Sequence, residues 1–226
     1  MAVSAGPSVI DDGLVFCLDA ANELSYAGTG TAWADLVGEN NSVLTNGPTF
    51  DDDNAGSIVF DGANDYANFS VSGLTTTATI EMYCKIGAAY SGKMFFGFYR
   101  YDIYCSGGSI GFNTARGDVH GISSSTASSI GVVDTWRHYV FEMRSDVSYT
   151  NNKIYIDGEL QSLSQVRGGE GAASRNFNDG DGRIAMWLSS GGYYMPMNLS
   201  IFKIYNKALT QQQIKQNYKA LRGRFN

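Results

Sequence analysis

The sequence predicts an all-β sandwich, one domain over residues 1–226, closed by a single C-terminal helix at 210–221. Three observations carry this. Short β-branched and aromatic runs are separated by turn residues, with 27 Gly against only 3 Pro. Aromatics are abundant, 14 Tyr and 12 Phe, as a sandwich core with tight connections requires. Only one stretch, near the end, combines a helix N-cap with an apolar stripe at helical spacing. A chain of 226 residues suits one large β domain.

Taken in order, residues 1–12 are small and polar around Pro7 and read as an arm. Residues 14–19 are continuously apolar up to Asp19, a strand buried on both faces. Residues 22–44 are loop-like, pinned by Tyr26 and Trp33. Residues 57–60 form a strand, Asp61-Gly62 turns it, and 66–69 return. Residues 79–86 alternate, with Ile80, Met82, Cys84 and Ile86 on one face and Glu81, Tyr83 and Lys85 on the other. At period two, residues 93–104 set Met94, Phe96, Phe98 and Arg100 opposite Phe95, Tyr99 and Tyr101. One of those faces is core, and the other is a shelf or a contact within a homo-oligomer. Two short strands, 109–113 and 118–122, meet at Arg116-Gly117, and the Ser/Thr-rich stretch 123–129 reads as an exposed loop. In residues 136–143, Trp136, His138 and Val140 oppose Arg137, Tyr139 and Phe141. Asp157-Gly158 turns a hairpin. A glycine-rich loop, 165–182, precedes a strand at 183–188 carrying Trp187, and the final strand covers 198–205. Thr210 and Gln213 form a capping box, Ile214, Tyr218 and Leu221 share a stripe, and Gly223 is the expected stop.

Charge and cysteine usage narrow the partners. Sixteen basic and 22 acidic residues give a net charge of −6, with no block that would attract nucleic acid or an anionic membrane. The three cysteines, Cys17, Cys84 and Cys105, sit in or beside apolar runs without ligand spacing, so buried free thiols in a reducing cytoplasm are expected. The N-terminal residues lack the features of a secretory signal, and no run approaches a membrane span.

Candidate chemistry falls into three groups. Asp61, Asn64 and Asp65 place short oxygen-bearing side chains around one turn, which either holds Ca2+ or caps its own backbone. Asp179 and Asp181 resemble a fragment of a calcium loop without the remainder of an EF-hand. For catalysis, no strand carries paired carboxylates on one face, and neither His120 nor His138 belongs to a nucleophile motif; His138 reads as a buried imidazole beside Trp136. The expectation is therefore no enzyme. For binding, Tyr99, Tyr101 and Tyr104, then Trp187 with Tyr193 and Tyr194, offer rings on which a sugar face could stack, with Arg116 and His120 as polar neighbours.

Six blocks carry a resemblance: residues 13–22, 45–50, Phe60-Asp61-Gly62-Ala63-Asn64-Asp65-Tyr66, Trp136-Arg137-His138, Ile154-Tyr155-Ile156-Asp157-Gly158, and 204–221. In this order they resemble the laminin-G-like branch of the concanavalin A-like lectin/glucanase superfamily, as carried by virion proteins of tailed phages, especially those infecting cyanobacteria. The resemblance implies a two-sheet antiparallel jelly roll. It also implies a virion structural role, in capsid decoration or a fibre-associated lectin-like module, with capsid, tail or fibre proteins, or a host glycan, as partners. Glycanases on this fold carry Glu-x-Asp-x-x-Glu on one strand, and no such triplet exists here. The stretch 88–133 matches least, so specificity is expected there.

Overall fold

The computed structural model describes residues 7–99, 101–115, 117–169, 175–177, 180–188 and 191–225. In it two antiparallel sheets face each other, as a concanavalin A-like jelly roll requires. The first sheet is centred on β7 (Thr77–Ile86), flanked by β12 (Trp136–Arg144) and β17 (Pro196–Tyr205). Beyond β12 lie β13 (Lys153–Ile156) and β14 (Glu159–Leu160). The other edge of β17 takes two partners end to end: β5 (Ser57–Asp61) beside residues 196–199 and β1 (Leu14–Asp19) beside residues 201–205. Edge strand β4 (Thr49–Asp51) pairs with β5. The second sheet runs β15 (Ser164–Arg167), β11 (Asp118–Ile122), β10 (Ser109–Ala115), β9 (Tyr101–Ser106), β8 (Met94–Phe98), β16 (Gly182–Ile184), β6 (Tyr66–Phe69), β3 (Ser42–Thr45) and β2 (Ala32–Trp33).

Period-two alternation fills the space between the sheets. From β7 the inward residues are Ala78, Ile80, Met82, Cys84 and Ile86, and from β12 they are Tyr139, Phe141 and Met143. The second sheet answers with Phe69, Phe96, Phe98 and Phe112. Rings interlock across the gap: Phe69 and Phe96 lie 5.3 and 5.8 Å from Phe202, and Phe96 lies 5.6 Å from Phe141. Each such ring contributes roughly 2–3 kcal/mol through burial. Tyr26 and Trp33 are buried and pin the long loop, as expected. All three cysteines are free and buried, and burial pushes the Cys17 thiol up to about 11.

Several local expectations are corrected. A bulge between Met94 and Phe96 lets both Phe95 and Phe96 enter the core, so the β8 stretch is not a strictly alternating strand. Tyr101 is fully buried; its hydroxyl donates to the Arg144 carbonyl at 2.7 Å, and its ring stacks on Phe177. Residues expected as a Ser/Thr loop form helix α1 (Ser124–Ile130). Ser123 caps it by accepting from Thr126 N–H, Gly131 ends it in the left-handed region, and Ala127 anchors it in the core. β16 stops at Ile184 because Ala185 turns to φ 63°, which places Trp187 on a loop.

The outward face of β7, β12 and β17 is closed by helix α2 (Gln211–Leu221), which has the expected Thr210/Gln213 capping box. Gly223 is not its stop; the chain tightens into a 3-10 turn over Arg222–Arg224. Beneath it, Glu81 Oε1 stands 3.2 Å from His138 Nε2 and 3.6 Å from Lys203 Nζ. Glu81 Oε2 accepts from Asn217 at 2.6 Å and from Tyr205 at 3.2 Å. Burial works to raise the Glu81 carboxyl, but Lys203, His138 and Asn217 together hold it down at about 2. His138 is the buried imidazole expected from sequence, flanked by Tyr83 and Tyr218 and facing Glu81.

Candidate functional site

The outward face of the second sheet carries a cavity of about 340 Å³ lined by Met94, Tyr104, Asn113, Gly117, Arg167, Trp187 and Tyr193. Strand parity builds its floor. Tyr101, Ile103 and Cys105 point inward into the core, so Asp102, Tyr104 and Ser106 on the same strand point outward. Met94 pairs with Tyr104, and Val119 pairs with Arg167, bringing four strands to one place. Met94, Tyr104 and Val119 form a small apolar cluster with Val166 and Trp187 against it.

The aromatic wall is held by backbone hydrogen bonds. Trp187 N–H donates to Gly192 O at 3.1 Å and Met195 N–H to Ala185 O at 2.9 Å, closing the loop on itself. Met94 N–H then donates to Tyr193 O at 2.8 Å, docking the loop on β8. Tyr193 sits at φ 59° after two glycines at positive φ, a turn that projects its ring outward. That ring is 43% exposed, the most exposed aromatic of the described chain. It meets both Tyr104 and Trp187 edge-on at 5.7 Å. The three rings offer faces and edges at different angles, on which the apolar face of a ligand can pack.

Polar groups stand at the rim and behind it. Asn113 lines the cavity, its Oδ1 accepts from Gly117 N–H at 3.3 Å, and its side chain also favours the charged form of Asp102. Arg167 donates from Nη1 to Ser106 Oγ. Asp102, opposite Gly97 on β8, is buried, and its Oδ1 has no hydrogen-bond partner. Burial pushes its carboxyl up to about 7, with Asn113 pulling the other way.

Of the residues singled out from sequence, Tyr193, Trp187 and Tyr104 are brought together. Tyr194 is half-buried beside the cavity, outside its lining. Tyr99 lies in the turn at the far end of the β8–β9 hairpin, and Tyr101 is core, so neither belongs to the site. His120 points the other way: it pairs with the inward Phe112 and packs on Tyr149 at 5.2 Å. Arg116 and Asp179 lie outside the described residues. Asn113 and Arg167 were missed as site residues, because only the pairing of β10, β11 and β15 brings them to Tyr104.

In the Asp61 turn the two carboxylates are engaged by the turn's own amides. Asp61 Oδ1 accepts from Ala63 N–H at 2.7 Å and Asn64 N–H at 3.3 Å, and Asp65 Oδ2 accepts from Asp61 N–H at 3.2 Å. These amides hold the Asp61 carboxyl below its ordinary value against a smaller effect of burial, whereas burial raises that of Asp65. Of the two sequence readings, self-capping describes this geometry. Asp51, Asp52 and Asp53 cluster elsewhere at the surface, with Asp51 engaged by Asn198 at 3.0 Å.

The family model described as Laminin_G_3, concanavalin A-like lectin/glucanases superfamily, matches residues 61–215. No curated protein matches the sequence significantly. Among solved structures, the receptor-binding domain of botulinum neurotoxin C/D mosaic serotype superposes with a TM-score of 0.63 at 13% identity over 92% of this chain. The botulinum neurotoxin serotype D ligand-binding domain in complex with N-acetylneuraminic acid gives 0.62 at 13% identity, also over 92% of this chain. Trypanosoma rangeli sialidase gives 0.62 at 15% identity over 94% of this chain. The chain spans 51% of each toxin domain's length and 33% of the sialidase's, so the likeness is one of fold.

Proposed function

The chain belongs to the Laminin_G_3 family of the concanavalin A-like lectin/glucanase superfamily, and from that premise we propose that it is a non-enzymatic, lectin-like module that binds a saccharide in the cavity between Tyr104, Trp187 and Tyr193. The observation that carries this is the preformed aromatic wall, fixed by the Met94–Tyr193 and Trp187–Gly192 backbone hydrogen bonds before any ligand arrives. That toxin and sialidase structures share the fold is in keeping with a carbohydrate ligand.

Hydrolysis is the less favoured reading. A glycosidase needs two carboxyl groups roughly 5 to 9.5 Å apart across the bond. The described lining of the cavity contains no Asp or Glu, and Asp102 behind it is a single covered acid. Glu142 belongs to the opposite sheet, held by Lys153 at 3.0 and 3.2 Å. In keeping with the phage-like sequence blocks, the module is read as a decoration or fibre-associated component of a virion, made in the host cytoplasm.

Titration calorimetry against a panel of bacterial polysaccharides and defined oligosaccharides tests the binding. Saturable binding, weakened by Tyr193→Ala combined with Trp187→Ala, is the expected result; no binding across the panel overturns it. Release of reducing ends from any of those polysaccharides would overturn the non-enzymatic part. Antibody labelling of purified phage particles tests the virion placement, which fails if intact particles carry no label.

A further inference from the structure

Resting on that reading, we propose that the saccharide is acidic, with Arg167 pairing a sugar carboxylate while Tyr193 and Trp187 take the ring. Most cations among the described residues face an acid or a ring; of those that do not, Lys93 donates to Gly62 O at 3.2 Å and Lys219 lies on α2, and neither lines the cavity. Arg137, Arg144 and Arg224 pair with Asp157, Asp146 and Asp19, and Lys153, Lys203, Lys207 and Lys215 each face an acid. Lys85, Arg175, Arg183 and Arg222 lie over aromatic rings. Arg167 has neither an acid nor a ring among the described residues. Among the described residues its side chain bonds the neutral Ser106 hydroxyl, and it stands exposed on the cavity wall.

Its backbone is fixed, and its head is held at one nitrogen only. Gln165 Nε2 donates to Arg167 O at 2.9 Å and to Gly169 O at 3.0 Å, tying down the end of β15. The neighbouring acid, Asp118, packs against Gly168 and makes no ion pair with Arg167. Tying one Nη to Ser106 orients the planar guanidinium and leaves its other donors for a ligand. A fork of parallel N–H groups matches a carboxylate, which a point charge does not. On a chain of net charge −6, one unpaired arginine in an aromatic cavity is a selective feature, because the surrounding field opposes anions elsewhere on the surface. A uronic acid or a sialic acid presents this combination: a carboxylate at one edge of a ring whose face is apolar enough to stack.

Matched pairs of probes separate this inference from the reading beneath it. Sialyllactose against lactose, and digalacturonic acid against digalactose, are titrated into the full chain at low and moderate salt. The expected result is at least tenfold tighter binding of an acidic member than of its neutral partner, with the gap narrowing as salt rises. Arg167→Gln closes that gap and Arg167→Lys restores part of it, while thermal unfolding of both variants stays close to the parent. Equal affinity for acidic and neutral members, both weakened by Tyr193→Ala, overturns the acidic assignment and leaves saccharide binding standing. Tight binding of a sulfated probe with no preference for either carboxylated one overturns the carboxylate in particular. Absence of binding by every member overturns both.

Discussion

The two outward faces of the sandwich are built from the same kind of strand and end in opposite states. On the first sheet, every charged group under α2 has a counterpart: Glu81 faces Lys203 and His138 and accepts from Asn217 and Tyr205. On the second sheet, Arg167 has no acid, Asp102 Oδ1 has no donor, and Tyr193 presents a ring to solvent. A covered and paired cluster holds the fold together. A buried acid whose oxygen lacks a donor costs stability, whereas a guanidinium and a ring left open to water cost little and stay free to meet a partner.

The largest test removes the acid from the closed face. Glu81→Ala leaves Lys203 buried without its counter-charge, and urea unfolding should show a loss of roughly 3–5 kcal/mol. A loss below about 1 kcal/mol would mean that the cluster is not what closes this face. Acid should act in the same direction. The Glu81 carboxyl is held at about 2 against an ordinary 4.5, so its stabilisation is present above about pH 4.5 and is lost as pH falls toward 2, on the order of 3 kcal/mol.

Next in size is Asp102, where the sign reverses. Its carboxyl releases its proton near 7 when folded but near 3.8 when unfolded. The parent therefore loses stability as pH rises from about 4 to about 7, up to roughly 4 kcal/mol. Asp102→Asn should flatten that slope, so its advantage over the parent in a urea midpoint is larger at pH 8 than at pH 5. Equal differences at both pH values would show Asp102 to be ordinary. Smaller still, Tyr193→Ala should cost about tenfold in saccharide affinity, about 1.4 kcal/mol, with little change in Tm because the ring is already half in water. Smallest, Thr210→Ala removes the α2 cap and should lower stability by about 1 kcal/mol without touching the affinity.

The sequence made the closed face legible and the open one only partly so. The Thr210/Gln213 box, the alternation of residues 79–86 and the Asp157-Gly158 turn are local signals, and the structure keeps them; Asp157 and Gly158 take φ 53° and 81°. The cavity depends on events no window of sequence displays. A bulge at Met94/Phe96 resets the parity of β8, a left-handed Ala185 frees Trp187 from its strand, and a shift between Val119 and His120 sets Arg167 opposite Val119. Tyr99 and Tyr101 were singled out for being aromatic and close to Tyr104, yet a hairpin turn separates the first from it and strand parity the second. Asn113 carried a faint signal as a polar residue in the stretch 88–133 that matches the family least, and Arg167 as a basic residue in the glycine-rich stretch 165–182. Their meeting is a matter of sheet order.

The two described ends lie together on one side of the sandwich. Ile10 N–H donates to Asn217 on α2 at 2.8 Å, Asp12 pairs with Lys207, and Phe225 stacks on Tyr83 at 4.1 Å. Residues 7 and 225 therefore both leave the body through the roof formed by α2. Anything fused, tethered or docked there approaches from behind, and the Tyr193 aperture is left looking outward, like a lens on a mount.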